Sequence, residues 1–83
     1  MVKIVVYSSA HCPYCDRAKA LLQRKGLSFE EIRVDLDPLA KDAMIALTGR
    51  RTVPQIYIGE VHVGGCDDLY ALERSGELAP LLA

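Results

Sequence analysis

Two cysteines separated by two residues are the part of this sequence best suited to chemistry. Cys12 and Cys15 enclose Pro13 and Tyr14, and this segment follows an apolar stretch and opens a helical pattern. The first backbone N–H groups of a helix lack partners within the helix and carry partial positive charge. Both effects favour a thiolate, and a cysteine in this setting can have its pKa lowered to about 3.5–7.5. We therefore predict that Cys12 attacks disulfides and that the more buried Cys15 resolves the mixed disulfide.

The same pair of cysteines could instead form half of a zinc or iron–sulfur site. Such a site usually needs four ligands, commonly supplied as two pairs. The remaining candidates are His11, His62 and Cys66, and none of them is paired at ligand spacing. Redox chemistry is therefore favoured over a metal carrier, and no bound metal or organic cofactor is predicted.

The composition indicates one small globular domain that spans residues 1–83. The net charge is −1, and no basic tract points to nucleic acid. No segment approaches the roughly 20 apolar residues of a membrane span, and the start lacks the features of a signal peptide. Three cysteines, an odd number, argue against a secreted disulfide scaffold. A cytoplasmic monomer without nucleic-acid or membrane partners is the resulting expectation.

Hydrophobic patterns and turn residues predict the elements that must position the cysteines. Strands are predicted at residues 3–7, 29–34, 55–58 and 61–63. Helices are predicted at residues 13–25, at residues 38–48, from a cap at Cys66 or Asp67 to Ser75, and as a final turn at 77–82. The order β-α-β-α-β-β-α predicts an α/β fold with a four-stranded mixed sheet and helices on both faces.

Apolar residues within two of the helices should face the sheet. In the first helix these residues are Ala18, Leu21 and Leu22. In the second helix they are expected to be Leu39, Ala43, Ile45 (or Met44) and Leu47. Residues three or four apart share one face of a helix, which is the basis of both predictions.

Three segments together resemble the glutaredoxin family. They are Cys-Pro-Tyr-Cys at 12–15 after a strand, Thr-Val-Pro at 52–54 before a strand, and Gly-Gly-Cys-Asp-Asp at 64–68 opening a helix. The chain is most similar to the small bacterial glutaredoxins of the dithiol type, over nearly its whole length. The resemblance implies a thioredoxin fold and an enzyme that reduces glutathione mixed disulfides and protein disulfides. Glutathione would be its co-substrate, and ribonucleotide reductase is one candidate protein partner by analogy.

The resemblance also implies a glutathione site beside the cysteines, in which the Val53–Pro54 bond is cis. The helix start at Asp67 and Asp68 offers free N–H groups to a carboxylate and its own carboxylates to an ammonium. Of the two adjacent arginines, we expect at most one to contact the other carboxylate. Cys66 is expected to line the ligand without a catalytic role. The predicted site residues are Tyr14, Arg50, Arg51, Thr52, Val53, Pro54, Gly65, Cys66, Asp67 and Asp68.

The loop before Cys12 departs from the pattern of the family. Members commonly have a lysine a few residues before the first cysteine, whereas Ser8 to His11 contain none. That cation would have helped to stabilise the thiolate and to bind a carboxylate. The thiolate therefore depends more on the helix terminus, and a protonated His11 is a candidate substitute.

Two further alternatives belong to other functional classes. A thioredoxin-like reductant recharged by a flavoprotein reductase would share the paired cysteines. The Trp-Cys-Gly-Pro-Cys pattern of thioredoxins is absent, however, and the sequence has no tryptophan. A non-catalytic interaction domain would retain the motif without a reactive thiolate.

Overall fold

The arrangement of the strands determines where the paired cysteines lie. The computed structural model describes residues 2–82. In chain order its elements are β1 (Ile4–Ser8), α1 (Pro13–Arg24), β2 (Glu30–Arg33), α2 (Pro38–Thr48), β3 (Gln55–Ile58), β4 (Val61–Gly64), α3 (Cys66–Ser75) and α4 (Leu78–Leu82). The sheet order is β2-β1-β3-β4, with β1 parallel to β2 and antiparallel to β3, and with β3 and β4 antiparallel. The predicted α/β fold with a four-stranded mixed sheet is confirmed.

The observed ends of several elements differ from the predicted ends by one or two residues. β1 extends to Ser8, which was expected in a loop, because the Val34 N–H donates to the Ser8 carbonyl at 2.9 Å. The prediction that Cys66 or Asp67 caps α3 is wrong, since the cap is Gly65. The Gly65 N–H donates to the Asp68 carboxylate at 2.9 Å, which places the start of the helix one residue earlier.

One apolar core lies between the sheet and helices α1, α3 and α4. Its buried members are Ile4, Val6, Ala18, Leu21, Leu22, Ile56, Ile58, Cys66, Leu69 and Leu78. The predicted inward face of α1 is therefore confirmed. Complete burial of a Leu, Ile or Val side chain contributes about 1.5–3 kcal/mol to the free energy of folding. This packing fixes α1 on the sheet and with it the position of the helix N-terminus.

A second, smaller core lies on the opposite face of the sheet. Met44 of α2 is fully buried there with Tyr7 and Val34, and Ala40 and Ile45 are partly buried beside it. Helices therefore cover both faces, as predicted. Among residues 2–82, no helix has the length and hydrophobicity needed to cross a bilayer.

The predicted inward face of α2 is partly wrong. Ile45 and its alternative Met44 do face the sheet, but Leu39, Ala43 and Leu47 are exposed. Successive helical residues are rotated by about 100° around the helix axis. The stripe that faces the sheet contains Ala40 and Met44, and the stripe of Leu39, Ala43 and Leu47 therefore faces away from it. The apolar pattern alone did not distinguish the two stripes.

The burial of α2 side chains gives a direct test of this packing. We expect Met44→Ala to lower the free energy of unfolding by about 2–5 kcal/mol, because it leaves a cavity. Leu47→Ala is the matched control on the same helix, where the side chain is 61% exposed. This control should change stability by less than about 0.5 kcal/mol. Urea unfolding followed by circular dichroism measures both values, and equal losses would contradict the assigned face of α2.

Candidate active site

Cys12 lies at the N-cap of α1, in the turn that follows β1. Its φ and ψ of −116° and 100° are extended, and Pro13 occupies the first helical turn. The residue before it, His11, has a φ of +53°, which turns the chain sharply into the helix. The Cys15 N–H donates to the Cys12 sulfur at 3.2 Å. The Cys12 sulfur therefore meets a backbone N–H at the start of the helix, and Cys12 is half-buried.

Cys15 is in a contrasting environment one helical turn further on. Its side chain is fully buried among the apolar residues of α1. Burial, and secondarily a hydrogen bond with the Cys12 sulfur, raises the pKa of the Cys15 thiol to about 12. Cys15 is therefore a protonated thiol near neutral pH. All three cysteines are free in this structure.

The loop before β3 faces the Cys12 sulfur. The Val53–Pro54 peptide bond is cis, as the family resemblance led us to expect. The Cys12 thiol donates to the Val53 carbonyl oxygen at 3.9 Å. The start of α1 and the loop before β3 thus form the two sides of one site.

A groove of about 170 Å³ opens beside Tyr14, which lies between the two cysteines in sequence, and beside Val53, whose carbonyl oxygen faces the Cys12 sulfur. Its lining residues come from the start of α1, the loop before β3 and the start of α3: Tyr14, Arg50, Thr52, Val53, Pro54, Gln55, Gly65, Cys66, Asp67 and Asp68. The structure brings together every residue predicted for the glutathione site except Arg51, which is not part of the lining. Gln55 lines the groove and was not predicted, although its place directly after Pro54 could have indicated it.

The charged residues of the groove are concentrated where α3 begins. Asp68 accepts the Gly65 N–H at 2.9 Å and lies 3.7 Å from the Arg50 guanidinium. Gly64 has a φ of +114°, and a Cβ atom there would collide with the Asp68 carboxylate. Gly64 therefore allows Asp68 to close over the helix start. Asp67 is exposed beside it.

Cys66 is both a wall of the groove and a member of the core beneath α3. It is 5% exposed, and burial raises the pKa of its thiol. Within residues 2–82, no three His, Cys, Asp or Glu side chains lie close enough together to hold a metal ion.

The loop before Cys12, which contains no lysine, is held in place by the carboxylate of Asp35. The Ala10 N–H donates to Asp35 at 3.3 Å, and Arg33 holds the same carboxylate at 2.6 Å. Hydrogen bonding to Arg33 lowers the pKa of Asp35 to about 2, so Asp35 remains ionised. The loop is therefore fixed by its backbone, and His11 is exposed.

A mixed four-stranded sheet with Cys-Pro-Tyr-Cys at a helix start and a cis-proline loop opposite defines a thiol–disulfide oxidoreductase of the thioredoxin fold. The family model described as Glutaredoxin matches residues 4–63. A glutaredoxin of Pseudomonas aeruginosa is 57% identical over 83 residues, covering 100% of this chain and 99% of that protein. Glutaredoxin 3 of Escherichia coli K12 is 52% identical over 82 residues, covering 99% of each. The chain therefore belongs to the glutaredoxin family.

A solved structure extends the comparison to the three-dimensional level. The crystal structure of a buckwheat glutaredoxin–glutathione complex matches with a TM-score of 0.89 at 37% sequence identity. The match covers 98% of this chain and 76% of that chain. The fold and the order of its elements are therefore those of glutaredoxins.

The contrast in burial predicts selective alkylation of the reduced protein. Brief treatment of the folded protein with iodoacetamide at neutral pH should add one group, at Cys12, because Cys15 and Cys66 are buried thiols. Protein unfolded in guanidinium should add three. Intact-mass measurement with peptide mapping reads both results, and Cys12→Ser is the control that should stay unmodified while folded. Modification of Cys15 before Cys12 would contradict the assignment.

Proposed function

We propose that this protein is a glutathione-dependent thiol–disulfide oxidoreductase in which Cys12 is the nucleophile and Cys15 the resolving thiol. The observation that carries this proposal is the setting of the Cys12 sulfur. It accepts the Cys15 N–H at 3.2 Å and lies 3.9 Å from the carbonyl oxygen of Val53, a residue that lines a groove of about 170 Å³. A cysteine sulfur at a helix N-terminus near an open groove is suited to attack a disulfide.

On a glutathionylated protein, the reaction proceeds in two exchanges. The Cys12 thiolate attacks the glutathione sulfur, the substrate S–S bond breaks, and the released protein thiolate takes up a proton. Cys12 is then joined to glutathione. The thiolate of a second glutathione attacks that glutathione sulfur, releasing oxidised glutathione and restoring the Cys12 thiolate. The proton lost by the second glutathione balances the proton gained by the substrate.

On a protein disulfide, Cys15 completes the reaction. The Cys12 thiolate first attacks one sulfur of the substrate disulfide, the substrate S–S bond breaks, and the released substrate thiolate takes up a proton. Cys12 is then joined to the other substrate sulfur as a mixed disulfide. The Cys15 thiol then loses its proton and attacks the Cys12 sulfur, and the displaced substrate thiolate takes up a proton. Two glutathione molecules reduce the Cys12–Cys15 disulfide and leave as oxidised glutathione. Glutaredoxin reduction potentials of about −200 to −230 mV are close to the reduction potential of the cellular glutathione pool, so glutathione can reduce the Cys12–Cys15 disulfide.

The pKa of Cys15 supports this order of events. Burial is the largest cause of the raised pKa and persists throughout the reaction, whereas two smaller causes, the hydrogen bond with Cys12 and the charge of Cys12, depend on the reduced form of Cys12. Both are lost when the Cys12 sulfur is joined to a substrate. Cys15 therefore becomes easier to deprotonate at the stage when it must attack.

The charges of glutathione match the groups around the groove. Glutathione carries two carboxylates and one ammonium. Arg50 and the free N–H groups at the start of α3 can receive the carboxylates. Asp67 and Asp68 can receive the ammonium, and the backbone of Val53 can pair with the peptide. A buckwheat glutaredoxin of the same fold has been solved as a glutathione complex, which supports glutathione as the co-substrate.

Serine variants test the roles of the two cysteines. With a glutathionylated peptide and glutathione, Cys12→Ser should lower turnover by about a thousandfold or more, because a serine hydroxyl is a weak nucleophile. Cys15→Ser should keep turnover within about threefold, because this route does not use the second thiol. With a protein disulfide as substrate, both variants should be inactive. An active Cys12→Ser or an inactive Cys15→Ser on the peptide would refute the assignment, and faster turnover with a flavoprotein reductase than with glutathione would refute the co-substrate.

The adjacent arginines offer a matched test of the groove. Arg50→Ala should raise the KM for a glutathionylated peptide by about three- to tenfold, because it removes a partly exposed cation from the groove. Arg51→Ala removes the same charge from a residue outside the groove and should leave KM within about twofold. Steady-state kinetics at two salt concentrations measures both effects. Equal changes in KM would indicate general electrostatic attraction and contradict a direct contact with Arg50.

A further inference from the structure

We propose that His62 is a positioning residue for the proposed glutathione site, acting on Thr52 through the side chain of Gln55. His62 lies in β4, the edge strand, and does not line the groove. A chain of hydrogen bonds nevertheless connects it to the loop that faces Cys12. The kinetic part of this inference rests on the proposed function, whereas the contacts themselves do not.

The Gln55 side chain lies in the middle of this chain of hydrogen bonds. It is 1% exposed, so each of its polar atoms needs a partner within the protein. Its Nε2 donates to the Thr52 carbonyl at 3.0 Å and to the Thr52 hydroxyl at 3.3 Å. Its Oε1 lies 2.7 Å from the His62 Nε2. Because Oε1 can only accept, the geometry assigns a proton to the His62 Nε2.

The imidazole ring of His62 is itself held in one orientation. It stacks on the Tyr57 ring with centroids 5.1 Å apart and planes 22° from parallel. Tyr57 in turn contacts Tyr7 edge-to-face at 6.5 Å. The β3–β4 register shifts between Ile56 and Tyr57, and such irregularities commonly redirect a side chain at a sheet edge. His62 is therefore a fixed donor on the sheet.

The donor of His62 completes the hydrogen bonding of the buried Gln55 side chain. Without that donor, the buried Oε1 of Gln55 accepts no hydrogen bond, and an unsatisfied buried acceptor destabilises this arrangement. If the side chain turns toward water to find a donor for Oε1, its Nε2 leaves the Thr52 carbonyl and hydroxyl. Thr52 would lose both contacts that hold it, and Thr52 and Val53 line the groove. The expected defect is in substrate binding, since the Cys12 sulfur receives its N–H from Cys15.

Two substitutions separate the hydrogen bond from the aromatic stack. His62→Phe keeps a flat ring against Tyr57 but lacks a donor. His62→Gln loses the ring but can present an amide N–H near the position of Nε2. We expect His62→Phe to raise the KM for a glutathionylated peptide by about tenfold and to change kcat and the rate of Cys12 alkylation by less than about twofold. His62→Gln should return KM to within about threefold of wild type.

Val61→Ala is the matched control, on the exposed neighbour of His62 in the same strand. It should leave KM unchanged. If KM is unchanged in His62→Phe, the aromatic ring is sufficient and the proposal is overturned. If His62→Gln is impaired as strongly as His62→Phe, a donor at this position does not restore binding, and the proposal is overturned as well. His62→Leu is a second variant without a donor, for use if the phenylalanine variant does not fold.

A spectroscopic readout tests the positioning without glutathione. In nitrogen-15 spectra, the Gln55 side-chain amide protons should exchange slowly with water in wild type and in His62→Gln. In His62→Phe they should exchange about tenfold faster or more, because the amide is no longer held. Unchanged protection in His62→Phe overturns the proposal. If wild type fails to turn over the glutathionylated peptide, the proposed function fails, and the exchange result still decides the role of His62.

Discussion

The hydrogen bond from the Cys15 N–H to the Cys12 sulfur is the interaction on which the site depends. It forms only if Cys12 is the N-cap, with extended backbone angles, at the start of α1. That placement needs a short turn after β1, which His11 makes by adopting a positive φ. It also needs α1 to be fixed against the sheet, which the burial of Ala18 and Leu22 provides. The packing of one core thereby determines the environment of a sulfur at the protein surface.

The different environments of the two cysteines follow from helical geometry. Cys15, Ala18 and Leu22 lie three and four residues apart, so they belong to one stripe of α1. That stripe is buried, and it carries the Cys15 sulfur into the core. Cys12 precedes the first helical residue and so lies outside the stripe. Two residues between the cysteines, at the start of an amphipathic helix, are therefore enough to make one sulfur half-exposed and the other a buried thiol.

Local signals predicted most of the fold, and the errors have physical causes. Proline at the start of α1 and α2 and glycine after their ends identified those helices, and the groove followed from a family resemblance. The inward face of α2 was partly mispredicted, because Leu39, Ala43 and Leu47 form an equally apolar stripe and only packing against Tyr7 and Val34 selects Met44. The contact between His62 and Gln55 left no local signal, since it depends on how β4 pairs with β3.

The loop from Ser8 to His11 contains no lysine, so the charged side chains that line the groove are those of Arg50, Asp67 and Asp68. There, Arg50 and Asp68 lie 3.7 Å apart and are each 53% exposed, a geometry that contributes little to stability in water. A ligand with both a carboxylate and an ammonium can replace this pair by giving each charge a new partner, with little net loss. A ligand with only one kind of charge would pair with either Arg50 or Asp68 and leave the other without a partner. The Arg50–Asp68 pair is thus better matched to a ligand that carries both charges than to a simple anion.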